Sequence, residues 1–140
     1  MRSASPREAY RRRYTLDEML DVFSGLTRRE GSGRDRDERL ELRSELADWP
    51  LWRRARVPLD DLMAEALRPE KVLRYAARRR RGSRFPPVVA VPVAPDRGLE
   101  ACARWGIPYA RYDVVEGNHR VLAARAAGDA TIDAFVPEAR

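Results

Sequence analysis

The sequence predicts an α+β fold, a small mixed sheet with flanking helices that carries an N-terminal helical extension. Three observations predict it. The last third holds three strand-like apolar runs, at 88–93, 109–115 and 131–136, separated by segments with helical spacing. Far upstream, Thr15 and Glu18 form a reciprocal helix-start pattern that opens a separate helical segment. At Val57 the texture changes, so residues 1–55 read as a basic arm with helical extension and residues 56–140 as the main domain.

Residues 1–14 show no periodic apolar pattern. From Thr15, Leu16, Met19, Leu20 and Phe23 recur at helical spacing, and Gly25 is expected to end that helix. Residues 28–37, rich in glycine, serine and charge, read as a flexible connection. A second helix over 35–47 offers only Leu40, Leu42 and Leu46 among its charges, so most of its surface is expected to be exposed. Trp49-Pro50-Leu51-Trp52 surrounds a helix-stopping proline with aromatic rings. The cluster reads as a packing lid, with a base-stacking platform as the alternative.

Val57-Pro58-Leu59 reads as a short extended entry, and Asp60 as the cap of a brief helix through Leu67. Arg68-Pro69 breaks that helix before another over 70–81, with Val72, Leu73, Ala76 and Ala77 turned inward. Phe85-Pro86-Pro87 leads into the strand at 88–93, whose unbroken apolar run predicts burial on both faces. Pro92 within it predicts an edge strand or a bulge. Residues 95–98 read as a turn, 99–105 as a short helix ending at Gly106, 118–127 as a helix with Gly128 just past its end, and 131–136 as the last strand.

Composition narrows the classes. A chain of 140 residues holds one domain with an appendage. Its 44% apolar content is far above that of a disordered chain. No apolar stretch approaches the roughly 18 residues that span a bilayer, and no signal-peptide core follows the basic N-terminus, so a cytoplasmic protein without a membrane partner is expected. Cys102 is the single cysteine. It excludes an intramolecular disulfide and a cysteine-based metal cage, and it is expected to behave as a small hydrophobe.

The net charge of +6 is concentrated in two places. Residues 1–14 carry five arginines against one glutamate, including Arg11, Arg12 and Arg13, and residues 68–84 carry eight bases against one acid, including Arg78, Arg79, Arg80 and Arg81. Such blocks attract phosphate backbones, which makes DNA a candidate partner. Two alternatives need no ligand. Of the 28 basic residues only Lys71 is a lysine, which points to compositional bias. The second block also closes a helix, where positive charge suits the dipole.

The segment Glu116-Gly117-Asn118-His119-Arg120 joins a strand to a helix through a glycine. The first N–H groups of a helix lack internal partners and sit at its positive end, so such a turn favours anions. Gly117 is expected to let the backbone approach an oxyanion, Arg120 to grip it bidentately, and His119 to donate a hydrogen bond or move a proton. A structural His119 and an Arg120 paired with Glu116 or Asp113 remain the alternatives.

The residues at 85–89, 112–120, 123–128 and 131–136 follow in order the pattern of ParB-like N-terminal domains, and Val57-Pro58-Leu59-Asp60-Asp61-Leu62 with Arg68-Pro69 is similar to their opening segment. The region from Val57 to Glu138 thus resembles the ParB/sulfiredoxin-like superfamily, with about fifteen residues inserted at 95–110. The resemblance implies a nucleoside triphosphate, CTP or ATP, with or without Mg²⁺, held by Gly117, Asn118, His119, Arg120 and Arg68. Partition proteins have Gly-Glu-Arg-Arg at this loop, so a metal-binding Glu and one Arg are missing here. Sulfiredoxins have Gly-Cys-His-Arg, and Asn118 in place of the cysteine excludes their thiol chemistry. Related free-serine kinases have an acidic residue, Gly, His, His and Arg.

The expected function is therefore a nucleoside-triphosphate-binding module, DNA-associated or regulatory, with a homodimer admitted. The alternatives are a small-molecule phosphotransferase and a ParB-like nuclease. For an enzyme, His119, Glu116 and Glu70 are the candidate catalytic groups, with Glu65 and Asp113 as further carboxylates. With residue 140 as the last, the helix-turn-helix domain that normally follows the ParB nucleotide domain is expected to be absent, and with it site-specific reading of DNA by a recognition helix.

Overall fold

The computed structural model describes residues 13–28, 36–65, 68–94 and 110–138. The expected turn at 95–98, the helix at 99–105, Cys102, Leu67, Arg11 and Arg12 lie outside the described residues. The six strands form a mixed sheet in the order β1-β2-β6-β4-β5-β3. The chain divides into two compact units, residues 1–55 with 135–140 and residues 56–134. The last residues thus group with the N-terminal segment.

In the first unit, β1 (Arg13–Thr15) leads directly into α1 (Leu16–Arg28). The capping box forms as the sequence predicts: the Thr15 N–H donates to Glu18 Oε1 at 3.1 Å, and the Glu18 N–H donates to Thr15 Oγ1 at 3.2 Å. Met19, Leu20 and Phe23 are buried. Gly25 does not end the helix. It is exposed, and there a glycine costs only about 1 kcal/mol, while burying a side chain such as Phe23 contributes roughly 1.5–3 kcal/mol.

Helix α2 (Arg36–Glu45) is exposed over most of its surface, with Leu42 buried and Leu40 exposed; Leu46, just past its end, is also buried. It is tied to α1 by the pairs Arg39–Asp21 at 2.5 Å and Arg43–Asp17 at 2.8 Å.

The strand β2 (Leu51–Pro58) takes the place of the expected lid and short entry. With Arg53, Arg54 and Arg56 in it the strand has no period-2 apolar pattern, and only Trp52 and Val57, on opposite faces, are buried. The pairing of β1 with β2 is antiparallel, with Tyr14 opposite Trp52. Trp52 is a core residue rather than a lid or a stacking platform, and its indole N–H donates to the Trp49 carbonyl at 2.7 Å. The C-terminal residues join this unit through specific contacts. Phe135 meets the Tyr14 ring edge-on at 5.6 Å, the Glu138 N–H donates to the Leu51 carbonyl at 2.9 Å, and Arg13 pairs with Glu138 at 2.9 Å.

The second unit starts with a single 3₁₀ turn, Leu59–Asp61, followed by β3 (Leu62–Met63). No helix starts at Asp60. The Arg125 guanidinium donates hydrogen bonds to the Leu59 carbonyl at 2.7 Å and the Leu62 carbonyl at 2.5 Å, acceptors that a helix there would have used itself. After α3 (Pro69–Arg80) come β4 (Val88–Pro92), β5 (Tyr112–Glu116), α4 (Asn118–Ala126) and β6 (Thr131–Pro137). Strand β5 pairs parallel with β3 and antiparallel with β4.

Val88, Val89 and Ala90 are buried, as the apolar run predicts. β4 is an interior strand, not an edge. Pro92 is tolerated because it ends the strand, and the register irregularity falls between Val89 and Ala90. On α3 only Ala76 is buried; Leu73, expected inward, is 69% exposed.

The reciprocal cap generates a direct expectation for the first unit. Thr15→Ala should destabilise it by about 1 kcal/mol in urea unfolding, with no effect on ligands of the second unit.

Candidate functional site

Helices α3 and α4 pack against each other, and the interactions at their two ends give them the same polarity. At their C-terminal ends, Arg80 Nη2 donates to the Ala126 carbonyl at 2.7 Å, and Arg79 grips Asp129, just beyond α4, with bonds of 2.7 and 3.2 Å. At the opposite ends the charges of Lys71 and Arg68, in the first turn and at the N-cap of α3, act on His119 in the first turn of α4. Two positive helix ends therefore meet at one imidazole. Neither end has a side-chain cap, with Arg68 at one N-cap position and Gly117 at the other.

Gly117 has a φ of 100°, in the left-handed region. A Cβ there would lie 2.5 Å from Val88 Cγ1 and 3.0 Å from Arg120 Nη2. The glycine is required by the protein's own close packing. Arg120 also has a structural occupation. Its guanidinium is buried and donates to the carbonyls of Pro86 at 2.8 Å and Pro87 at 3.1 Å, fastening the entry of β4 beneath the loop. The buried carbonyls need a donor, and this arginine supplies it.

Asn118 is likewise engaged in the fold. Its Oδ1 accepts the Glu65 N–H at 3.1 Å, and its Nδ2 donates to the Val114 carbonyl at 3.4 Å. His119 differs from these neighbours. It is half-buried, and its Nε2 is closed off from solvent without a hydrogen-bond partner. Burial first, then the positive charges of Lys71 and Arg68, push its pKa below the ordinary value of 6.5, with Glu70 acting in the opposite direction. A buried acceptor or donor left unpaired costs free energy, and a ligand oxygen beside two cations would satisfy it.

The site thus assembles His119 and Arg68, which the sequence reading names, with Lys71, which it does not. The available signal was that Lys71 is the single lysine in an arginine-rich chain. The charge of Glu70 acts on His119 in the opposite sense to those of Lys71 and Arg68. Among the described residues no group of three or more His, Cys, Asp or Glu is arranged to hold a metal ion.

The second arginine block has structural occupations. Arg79 and Arg80 hold the end of α4, the Arg81 side chain returns to the Ala77 carbonyl at 3.3 Å, and the Arg78 guanidinium lies 5.6 Å from the Tyr75 ring centre. Arg13 of the first block pairs with Glu138. These contacts give a reason for each arginine that needs no nucleic acid, while leaving Arg78, Arg80 and Arg81 exposed.

A solved structure of the C-terminally truncated chromosome-partitioning protein ParB from Caulobacter crescentus, complexed with CTP-gamma-S, is similar over 62% of this chain and 45% of that one, with 22% identity and a TM-score of 0.45. Sulfiredoxin from Arabidopsis thaliana is similar over 61% of this chain and 85% of that one, with 17% identity and a TM-score of 0.41. The chain spans less than half of the ParB structure it matches. No protein-family model matches the sequence, and no curated protein matches it.

Two outcomes follow from this geometry. Gly117→Ala should destabilise the second unit by at least about 1–2 kcal/mol from the left-handed backbone alone, with the Val88 clash adding to it, as read by thermal unfolding. Because the folded His119 pKa is depressed, the stability it contributes is present above the unfolded value of 6.5 and is lost as pH falls through the folded value. Chemical denaturation from about pH 8 to about pH 5 should show that loss, and His119→Gln should remove it.

Proposed function

We propose that the second unit binds a nucleoside triphosphate, with the phosphates held at the N-terminus of α4. The single observation that carries this reading is the meeting of two uncapped helix N-termini, Arg68 and Lys71 around the unpartnered Nε2 of His119. Backbone N–H groups of α4 would take phosphate oxygens, Lys71 and Arg68 would neutralise them, and His119 would donate a hydrogen bond once protonated by the anion's field. Any Mg²⁺ would arrive on the nucleotide, its positive charge balancing the phosphates.

Gly117, Asn118 and Arg120 serve the same ligand indirectly, by fixing the loop that presents those amides. Association with DNA is the secondary part of the reading and rests on the exposed Arg78, Arg80 and Arg81. Phosphoryl transfer to a small acceptor is the second reading, favoured by Glu70 beside His119.

Calorimetry with CTP, ATP and GTP, each with Mg²⁺, tests the proposal. Binding is expected, with Lys71→Ala and His119→Ala each weakening it by about 1.5–3 kcal/mol, roughly ten- to a hundredfold. Absence of binding for all three nucleotides overturns it. Release of nucleoside diphosphate that depends on a small acceptor would select the transferase reading.

A further inference from the structure

One stripe of α3 carries more than the two cations used above. Arg68, Lys71, Tyr75 and Arg78 follow one another at three- and four-residue intervals, which sets them in a row along one face of the helix. Lys71 Nζ lies 5.4 Å from the Tyr75 ring centre and Arg78 Cζ lies 5.6 Å from it. The Phe85 ring is tilted by 52° against Tyr75, with centres 6.2 Å apart. Both aromatic residues are only half-buried. Phe85 stands at the start of the segment whose Pro86 and Pro87 carbonyls hold Arg120 and whose Val88 packs against Gly117. The aromatic pair is therefore attached to the anion site from both sides, by Lys71 on the helix and by residues 85–88 along the chain.

We propose that Tyr75 and Phe85 form the platform on which the aromatic base of the nucleotide stacks, an inference that rests on the phosphate site at His119. From Arg68 to Tyr75 the helix rises about 10 Å, a span suited to a base at one end and its outer phosphates at the other. Lys71 lies between them. Drawn to a phosphate, its ammonium leaves the ring of Tyr75 and uncovers that face for the base. The platform offers π-faces and two cations, so it recognises a planar base without selecting one by hydrogen bonds. A surface aromatic pair that merely packs residue 85 onto α3 would need no link to the loop and no shared lysine.

The test compares CTP and ATP with inorganic tripolyphosphate, by calorimetry on the full chain and its variants Tyr75→Leu, Phe85→Leu and Tyr75→Phe. Each leucine variant should weaken nucleotide binding about tenfold and leave tripolyphosphate affinity unchanged, while Tyr75→Phe binds like the parent. The unchanged tripolyphosphate affinity also shows that the variants are folded. If nucleotides bind no better than tripolyphosphate and the leucine variants change nothing, the platform is wrong while the phosphate site stands. Loss of both affinities in both leucine variants would mark the pair as structural and overturn the inference. Tighter binding of a single-stranded oligonucleotide than of any mononucleotide, with the same dependence on Tyr75, would also overturn it. If neither tripolyphosphate nor nucleotide binds, the phosphate site itself fails and the platform with it.

Discussion

Packing two helices with the same polarity side by side is electrostatically unfavourable, because their positive ends lie together and so do their negative ends. In this protein α3 and α4 are so packed, and much of the second unit answers that constraint. At the negative ends, arginines supply the compensation: Arg80 on the last carbonyls of α4 and Arg79 on Asp129. At the positive ends no side chain caps either helix, and cations stand where anions would be stabilising. The asymmetry leaves positive charge gathered at that end, where burial and the charges of Lys71 and Arg68 lower the pKa of His119.

The loop between β5 and α4 illustrates how the residues of one motif also build the turn that carries it. Three of its polar or special residues are occupied in building the turn. Val88 requires a glycine at 117, Arg120 satisfies two carbonyls at the entry of β4, and Asn118 ties the segment at Glu65 to β5. Rigidity of this kind is what an anion site made of backbone amides needs, since its donors must be aimed before the ligand binds. The cations, by contrast, come from another helix, where long side chains can move.

The first unit rests on different forces. Its helices are joined by exposed ion pairs, which contribute little by themselves, and by the burial of Met19, Leu20, Phe23, Leu42 and Leu46. Trp52, packed against the strand of Tyr14, and the edge-on contact of Tyr14 with Phe135 bring the chain's two ends into one core. This fold-back from Phe135 explains why the end of the sequence does not belong with the segment that precedes it.

Local chemistry was legible from the sequence by itself: the capping box at Thr15, the apolar run of β4, the glycine-started helix at Asn118 and the turn at Gly128 each depend on residues a few positions apart. The strand at Leu51–Pro58 was hidden because its three arginines leave no period-2 apolar pattern, and the 3₁₀ turn at Leu59 because its carbonyls are claimed by Arg125, more than sixty residues away. The candidate site divides in the same way. His119 and the helix start are local facts, whereas the inward turn of Arg120, the choice of Lys71 and the approach of Arg68 follow from which helix end packs beside which. Sequence spacing sets what a segment can form; only the packed chain decides which partner receives each charge, because those partners are brought together by folding and not by the backbone that separates them.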